Sequence, residues 1–315
     1  MKTKKNMTLI LMVILVILGV IAWWLITTQE TAVNKNLVLK LSESDIIGFD
    51  ITNVETGQEL KTSLRKNSEK NWFITSPIND ITDPGTISIM LASLKEIRTP
   101  TTIKNAVDLS NYGLDQPSLT VTVNLIKGEP KTLYIGSESP IPEMYYARLA
   151  GQQDVVVIMK DIKNNLSPKL SYLRERKVVN VKQEQVQELT ISTNQGRVFR
   201  MLNANGKWSL TEPYRKELIA YDINRIIEGL NSLWTHENDD DLNNLAKYGL
   251  DQPDYRIELK LADGKSFSLI ANKVDGDYYM LNSLRPTIIK QKNPDAFNFL
   301  KDNLPDLFDK NASLR

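Results

Sequence analysis

The sequence predicts an α+β protein of two tandem homologous domains behind one transmembrane helix. Each domain is read as a mainly antiparallel sheet with one packed amphipathic helix. Three observations predict this. The hexapeptide YGLDQP occurs twice, at Tyr112–Pro117 and Tyr248–Pro253, at an offset of 136. Before each copy stands an apolar stripe at helical spacing, and behind each a strand of strict apolar–polar alternation. Residues 7–26 form a run of twenty whose only polar member is Thr8. A repeat of this period marks a duplicated domain rather than a short solenoid unit. The same offset relates Trp72 to Trp208, Pro77 to Pro213, Leu94 to Leu230, Leu109 to Leu245 and Gly128 to Gly264.

In chain order, residues 1–6 are read as a cytoplasmic N-terminus, 7–26 as the anchor and 27–36 as a linker. At about 1.5 Å per residue, a twenty-residue helix spans about 30 Å, the thickness of a bilayer core. Lys2, Lys4 and Lys5 precede the run and only Glu30 follows it closely, which predicts a cytoplasmic N-terminus with the rest of the chain exported. Trp23 and Trp24 then fall at the outer interface, where indoles are favoured. A cleavable signal peptide would have a shorter apolar stretch and a small-residue cleavage site. The bulky Trp23-Trp24-Leu25-Ile26 offers none, so an uncleaved anchor is expected. A flexible ten-residue linker reaches roughly 17–19 Å, which would keep the first domain near the membrane.

The two domains are placed at 37–177 and 178–315. Each opens with short strands: 46–51, 60–64 and 72–75 in the first, 186–192, 198–202 and 208–210 in the second. A helix follows, opened in the first copy by Asp83-Pro84, with Ile87, Met90, Leu91, Leu94 and Ile97 on one face. Ile223, Ile226, Ile227, Leu230 and Leu233 are its counterparts. Leu119, Val121, Val123 and Leu125 alternate along the next strand, as do Tyr255, Ile257, Leu259 and Leu261, so both strands have one covered and one wet face. Strands near 132–135, 145–149 and 155–159 complete the sheet, and the Tyr145-Tyr146 and Tyr278-Tyr279 pairs match across the copies.

The hexapeptide reads as a helix-to-strand corner. Gly113 takes a left-handed position after a short helix ending at Tyr112, Leu114 meets Leu109, and Pro117 stops the helix. Gly249, Leu250, Leu245, Tyr248 and Pro253 repeat the arrangement. Asp115 and Asp251, with the tyrosine and the glutamine beside them, are what a binding loop would use instead. Trp72 and Trp208 are read as core anchors.

Composition narrows the chemistry. There is no Cys, so disulfides and thiolate–metal sites are excluded, and a single His leaves almost no material for a His-based metal or triad site; no catalytic, cofactor-binding or metal-ligating residue is assigned. Lys plus Arg number 39 against 38 Asp plus Glu, which argues against nucleic acid as a partner. The run His236–Asp241 is the one acidic cluster near a histidine. It lacks the order of a calcium loop and reads as a solvated loop, with Asp241 capping the next short helix.

The Trp-bearing early strand, the amphipathic helix, the YGLDQP corner, the alternating strand and the Tyr-Tyr strand, in two copies behind one anchor, resemble the bacterial domain-of-unknown-function family DUF4340. Members commonly accompany ABC-type exporter components, so the resemblance implies an envelope protein working with a membrane transporter; it supplies no catalytic residues. The expected protein is a single-pass protein of the bacterial inner (plasma) membrane. Its exported domains act as a non-enzymatic partner or scaffold, with the bilayer and an ABC-type permease or envelope complex as partners. A solute- or glycan-binding module using a cleft between the repeats is the alternative, and an exported hydrolase stands third.

Overall fold

The computed structural model describes residues 17–20, 37–243, 245–301 and 304. Lys2, Lys4, Lys5, Trp23, Trp24 and the 27–36 linker lie outside them. Of the apolar run, Ile17–Val20 are described; they are helical, with Ile17, Leu18 and Val20 exposed. Among the described residues no helix is long and apolar enough to cross a membrane.

The first half of the chain forms β1 (Leu37–Leu39), β2 (Ile46–Glu55), β3 (Gln58–Lys66), β4 (Trp72–Ser76), β5 (Asp80–Ile81), α1 (Pro84–Lys95), β6 (Ile97–Arg98), β7 (Thr102–Ile103), β8 (Leu119–Leu125), β9 (Lys131–Glu138), β10 (Met144–Leu149), β11 (Val155–Met159), α2 (Lys160–Leu166) and α3 (Leu170–Leu173). The second half forms β12 (Val186–Thr193), β13 (Val198–Ala204), β14 (Lys207–Glu212), β15 (Lys216–Leu218), α4 (Ala220–Asn231), β16 (Glu237–Asp239), β17 (Tyr255–Leu261), β18 (Ser266–Val274), β19 (Asp277–Asn282) and β20 (Ile288–Gln291). Two nine-stranded sheets result, ordered β5-β4-β3-β2-β8-β9-β10-β11-β7 and β15-β14-β13-β12-β17-β18-β19-β20-β16. Their orders correspond strand for strand. All four edge strands are only two or three residues long.

Local chemistry explains the ladders. Asn205-Gly206 and Asp275-Gly276, each with positive φ at both residues, make the tight turns of the β13–β14 and β18–β19 hairpins. In β8, Leu119, Val121 and Val123 are buried between half-buried threonines; in β17, Ile257 and Leu259 are buried between exposed charges. Pro77 and Pro213 both follow cis peptide bonds.

The helices bury Ile87, Met90, Leu91 and Leu94 in the first half and Ile223, Ile226, Ile227 and Leu230 in the second. Both helices are shorter than their apolar periodicity. Ile97 belongs to β6, paired with Leu39 of β1, and Leu233 lies beyond α4, although both side chains are fully buried. The sheet-pairing of Ile97 satisfies its backbone without a further helical turn.

By contact density the chain divides into one unit of Met1–Trp72 with Gly85–Leu170 and another of Phe73–Pro84 with Ser171–Arg315. The division falls at 170/171 where the repeat placed it at 177/178, and a short segment from the first copy joins the second unit. The second unit's core is built by β12–β14, β17–β19 and α4, with Trp208, Phe199, Tyr278 and Phe297 among its largest buried side chains.

Candidate functional site: repeated corners and a buried charge cluster

Leu109–Tyr112 and Leu245–Tyr248 are single turns of tight 3₁₀ rather than α-helix. Gly113 and Gly249 both have φ of +63°. In the first corner Leu114 N donates to Leu109 O at 3.0 Å and Gly113 N to Ser110 O at 3.0 Å; in the second, Leu250 N donates to Leu245 O and Gly249 N to Ala246 O, each at 3.0 Å. The helix-ending carbonyls are thus satisfied by backbone, as a left-handed cap requires. Leu114 and Leu250 are buried, and Leu250 packs with Leu245. Asp108 Oδ1 accepts from Ser110 N at 3.0 Å and caps the first turn. Tyr112 meets Tyr146 edge-on at 4.9 Å, and Tyr248 stacks on Tyr279 at 4.6 Å.

The corners differ at one neighbour. A Cβ on Gly136 would lie 2.1 Å from Tyr112 O. At the matching place in the second sheet Asn272 donates Nδ2 to Tyr248 O at 3.2 Å instead. Pro117 and Pro253 are half-buried and lead into β8 and β17. The remaining two hexapeptide residues are not used by the corner: Asp115, Gln116, Asp251 and Gln252 are exposed, with no hydrogen bond or ion pair to a described residue.

Trp208 is buried in the core, whereas Trp72 is half-buried, stacked on Phe49 at 5.1 Å with Lys66 Nζ 5.4 Å from its ring. Phe49 fills the interior position, which leaves the indole as a cover over it rather than a core anchor.

The acidic run is not a free loop. Glu237–Asp239 is strand β16, paired with β20. Glu237 pairs with Lys292 and, at 3.8 Å, with Lys290; Asp239 accepts from the Tyr248 hydroxyl; Asp241 Oδ1 accepts from Asn243 N at 3.0 Å. His236 is exposed. Hydrogen bonds from Tyr248 and from the Asp241 amide hold the Asp239 carboxyl below its ordinary value.

Asp240 leads inward to a cluster that the sequence reading missed. Arg174 clamps it with two bonds, Nη2 to Oδ1 at 2.7 Å and Nη1 to Oδ2 at 3.0 Å. Arg174 Nε also donates to Asp80 Oδ2 at 2.7 Å. Arg285 grips the same carboxylate, Nε to Oδ1 at 2.7 Å and Nη2 to Oδ2 at 2.8 Å. The Asp80 side chain is fully buried, and those of Arg285 and Arg174 are 1% and 8% exposed. Two arginines face two aspartates, so the cluster is neutral, as burial of charge demands. Burial pushes Asp240 up, but the bonds from Arg174 and Thr287 outweigh it and its carboxyl ends below the ordinary value. Asp80 lies 94 residues from Arg174 and 205 from Arg285, so no local pattern announces the cluster.

A family profile described as a domain of unknown function, DUF4340, matches residues 72–233, just over half of the chain. No curated protein and no solved structure matches.

Proposed function

Because the chain belongs to the DUF4340 family of domains of unknown function, we propose that it is a non-enzymatic partner or scaffold of an ABC-type exporter or envelope complex. The N-terminal apolar run tethers it to the bacterial plasma membrane, with its two sheet domains on the outer side. The observation that carries this reading is the repeated Asp-Gln pair. The Tyr, Gly, Leu and Pro of each hexapeptide have a place in the corner, yet Asp115-Gln116 and Asp251-Gln252 are exposed and unbonded to any described residue. A polar pair displayed twice on rigid corners, and not required by the fold, suits recognition of another protein.

The electrostatics agree. General acid–base catalysts are tuned toward the working pH. Among the described residues, Asp50, Asp108, Asp154, Glu237, Asp239 and Asp240 are held below the ordinary carboxyl value, and Tyr145, Tyr255 and Tyr278 above the ordinary tyrosine value. Among the described lysines, Lys163 alone moves toward neutrality, by burial. Tethering supplies the rest, since an anchored weak interface works at millimolar effective concentration.

The test is isolation of the intact protein from its own membranes and identification of what accompanies it. Replacing Asp115, Gln116, Asp251 and Gln252 with Ala should release the accompanying membrane protein while leaving the melting temperature unchanged. Retention of the same partner by that variant would remove the corners from the interface.

A further inference from the structure

The second unit holds a cleft of about 330 Å³ between the ends of β12, β13, β17, β18 and β19 and the chain at Leu300–Lys301. Thr193, Asp254, Tyr255, Lys273, Tyr278 and Lys301 are among its walls. The volume is at the small end of ligand sites, which run from about 300 to 1,000 Å³.

Three features separate it from an incidental hollow. First, it contains a buried polar atom without a partner among the described residues. Thr193 Oγ1 is buried without a hydrogen-bond partner among the described residues. Tyr278 is 1% exposed, and its hydroxyl makes no hydrogen bond to a described residue. A buried hydroxyl without a partner is uncommon and costly, so the Thr193 hydroxyl at this cleft calls for an occupant. Second, the walls are rich in cations: Arg197, Lys273 and Lys301 against Asp254. Both oxygens of Asp254 are already engaged, Oδ1 by Asn194 Nδ2 at 2.7 Å and Oδ2 by Lys273 N at 3.1 Å. Third, the first sheet builds the same strands without this set. The register pair Thr193–Tyr255 corresponds to Asn53–Leu119 in the first sheet. Asp254 and Lys273 correspond to Ser118 and Ser137, and Tyr278 to Tyr145, whose hydroxyl bonds to Glu138 at 2.6 Å. The same lattice of strands therefore stands in the first unit without the cation-rich set and with its tyrosine satisfied.

We propose that this cleft is a ligand site for a small hydroxyl-bearing organic anion, of the size and chemistry of an acidic monosaccharide. Thr193 and Tyr278 hydrogen-bond the ligand, and Lys273 and Lys301 attract its charge. Burial above all, helped by Tyr255, Asp254 and Asp295, pushes the Tyr278 hydroxyl up to about 12. It stays protonated at neutral pH and donates to an anionic oxygen. Lys273 Nζ spends one bond on Pro294 O at 2.7 Å and keeps two donors. The site is independent of the exposed Asp-Gln pairs, so either proposal can fail alone.

The experiment uses the intact chain in detergent, titrated calorimetrically with D-glucuronate, glucose 6-phosphate and glucose, beside Tyr278→Phe and Thr193→Val. At least one acidic sugar should bind saturably and raise the melting temperature, with glucose at least tenfold weaker; which acid binds decides between carboxylate and phosphate. Each variant should weaken binding at least tenfold. Neither should lower the ligand-free melting temperature, because neither hydroxyl removed bonds to a described residue. No saturable binding of either acid, equal binding of glucose, or unchanged affinity in both variants would overturn the proposal.

Discussion

Replacing Asp80 removes the anion shared by two buried guanidinium groups. The carboxylate accepts from Arg174 Nε and from Arg285 Nε and Nη2, all within 2.8 Å, and its Oδ1 also accepts from Ile81 N at 2.8 Å. After Asp80→Ala, Arg174 keeps its two bonds to Asp240, but among the described residues Arg285 keeps only Thr235 Oγ1 at 3.4 Å. A guanidinium 1% exposed would then be charged and nearly unpaired. Breaking a buried pair from one side costs about 3–5 kcal/mol. For a unit of this size that lowers the melting temperature by roughly 6–20 °C. The assay is urea unfolding, since guanidinium salts screen the charges at issue, with fluorescence of the buried Trp208 reporting the second unit. Asp80→Asn keeps the shape and should lose nearly as much. Adding Arg285→Met to Asp80→Ala should restore more than half, because a buried pair exchanged for apolar groups is often neutral. A loss below about 1 kcal/mol in Asp80→Ala, or no recovery in the double variant, would refute the reasoning.

The corner glycines provide a second test. A Cβ at Gly113 would stand 2.9 Å from Ser137 N, and one at Gly249 2.1 Å from Asn272 Nδ2, both at left-handed φ. Gly113→Val and Gly249→Val should each cost more than about 1 kcal/mol by urea denaturation; unchanged melting would dismiss the cap. In acid, stability should fall. Asp239 and Asp240 have folded values below their unfolded ones, as does Asp50, where bonds from Ser63, Asn124 and Arg65 outweigh burial. Their stabilisation is complete above the unfolded carboxyl value and is lost as pH drops through the folded one. Melting temperature should therefore be flat from about pH 5 to 7 and decline below about pH 4, less steeply in Asp240→Asn. Residues 37–315 exported without the apolar run should not restore a null phenotype at native expression, while the same fragment on an unrelated single-pass anchor should; full rescue by the soluble form would refute tethering.

Legibility in the sequence followed the range of the physics. Strands β8 and β17 were readable because one face is wet and the alternation writes itself into seven residues. The corner was readable because a left-handed cap needs its glycine and leucine at fixed local offsets. The ends of α1 and α4 were overrun because Ile97 and Leu233 keep helical spacing while sitting in other backbone, buried all the same. Trp72 was placed too deep because the sequence does not tell which of Phe49 and Trp72 takes the interior. The acidic run reads as solvated loop in sequence because its cations, Arg174, Lys290 and Lys292, are distant along the chain. The Asp80 cluster and the Thr193 cleft depend wholly on tertiary placement, and no window of residues contains either.

The short outer strands bear on how this protein can meet others. A long bare strand edge is an open template onto which foreign chains zip by backbone alone, irrespective of their side chains. Here β5, β7, β15 and β16 close both sheets with two or three residues apiece. Such an edge gives a visiting strand too few rungs to hold, so indiscriminate stacking into filaments has no foothold there. Any companion must instead be chosen by the identity of displayed side chains, and that choice can change by point substitution without remaking either sheet.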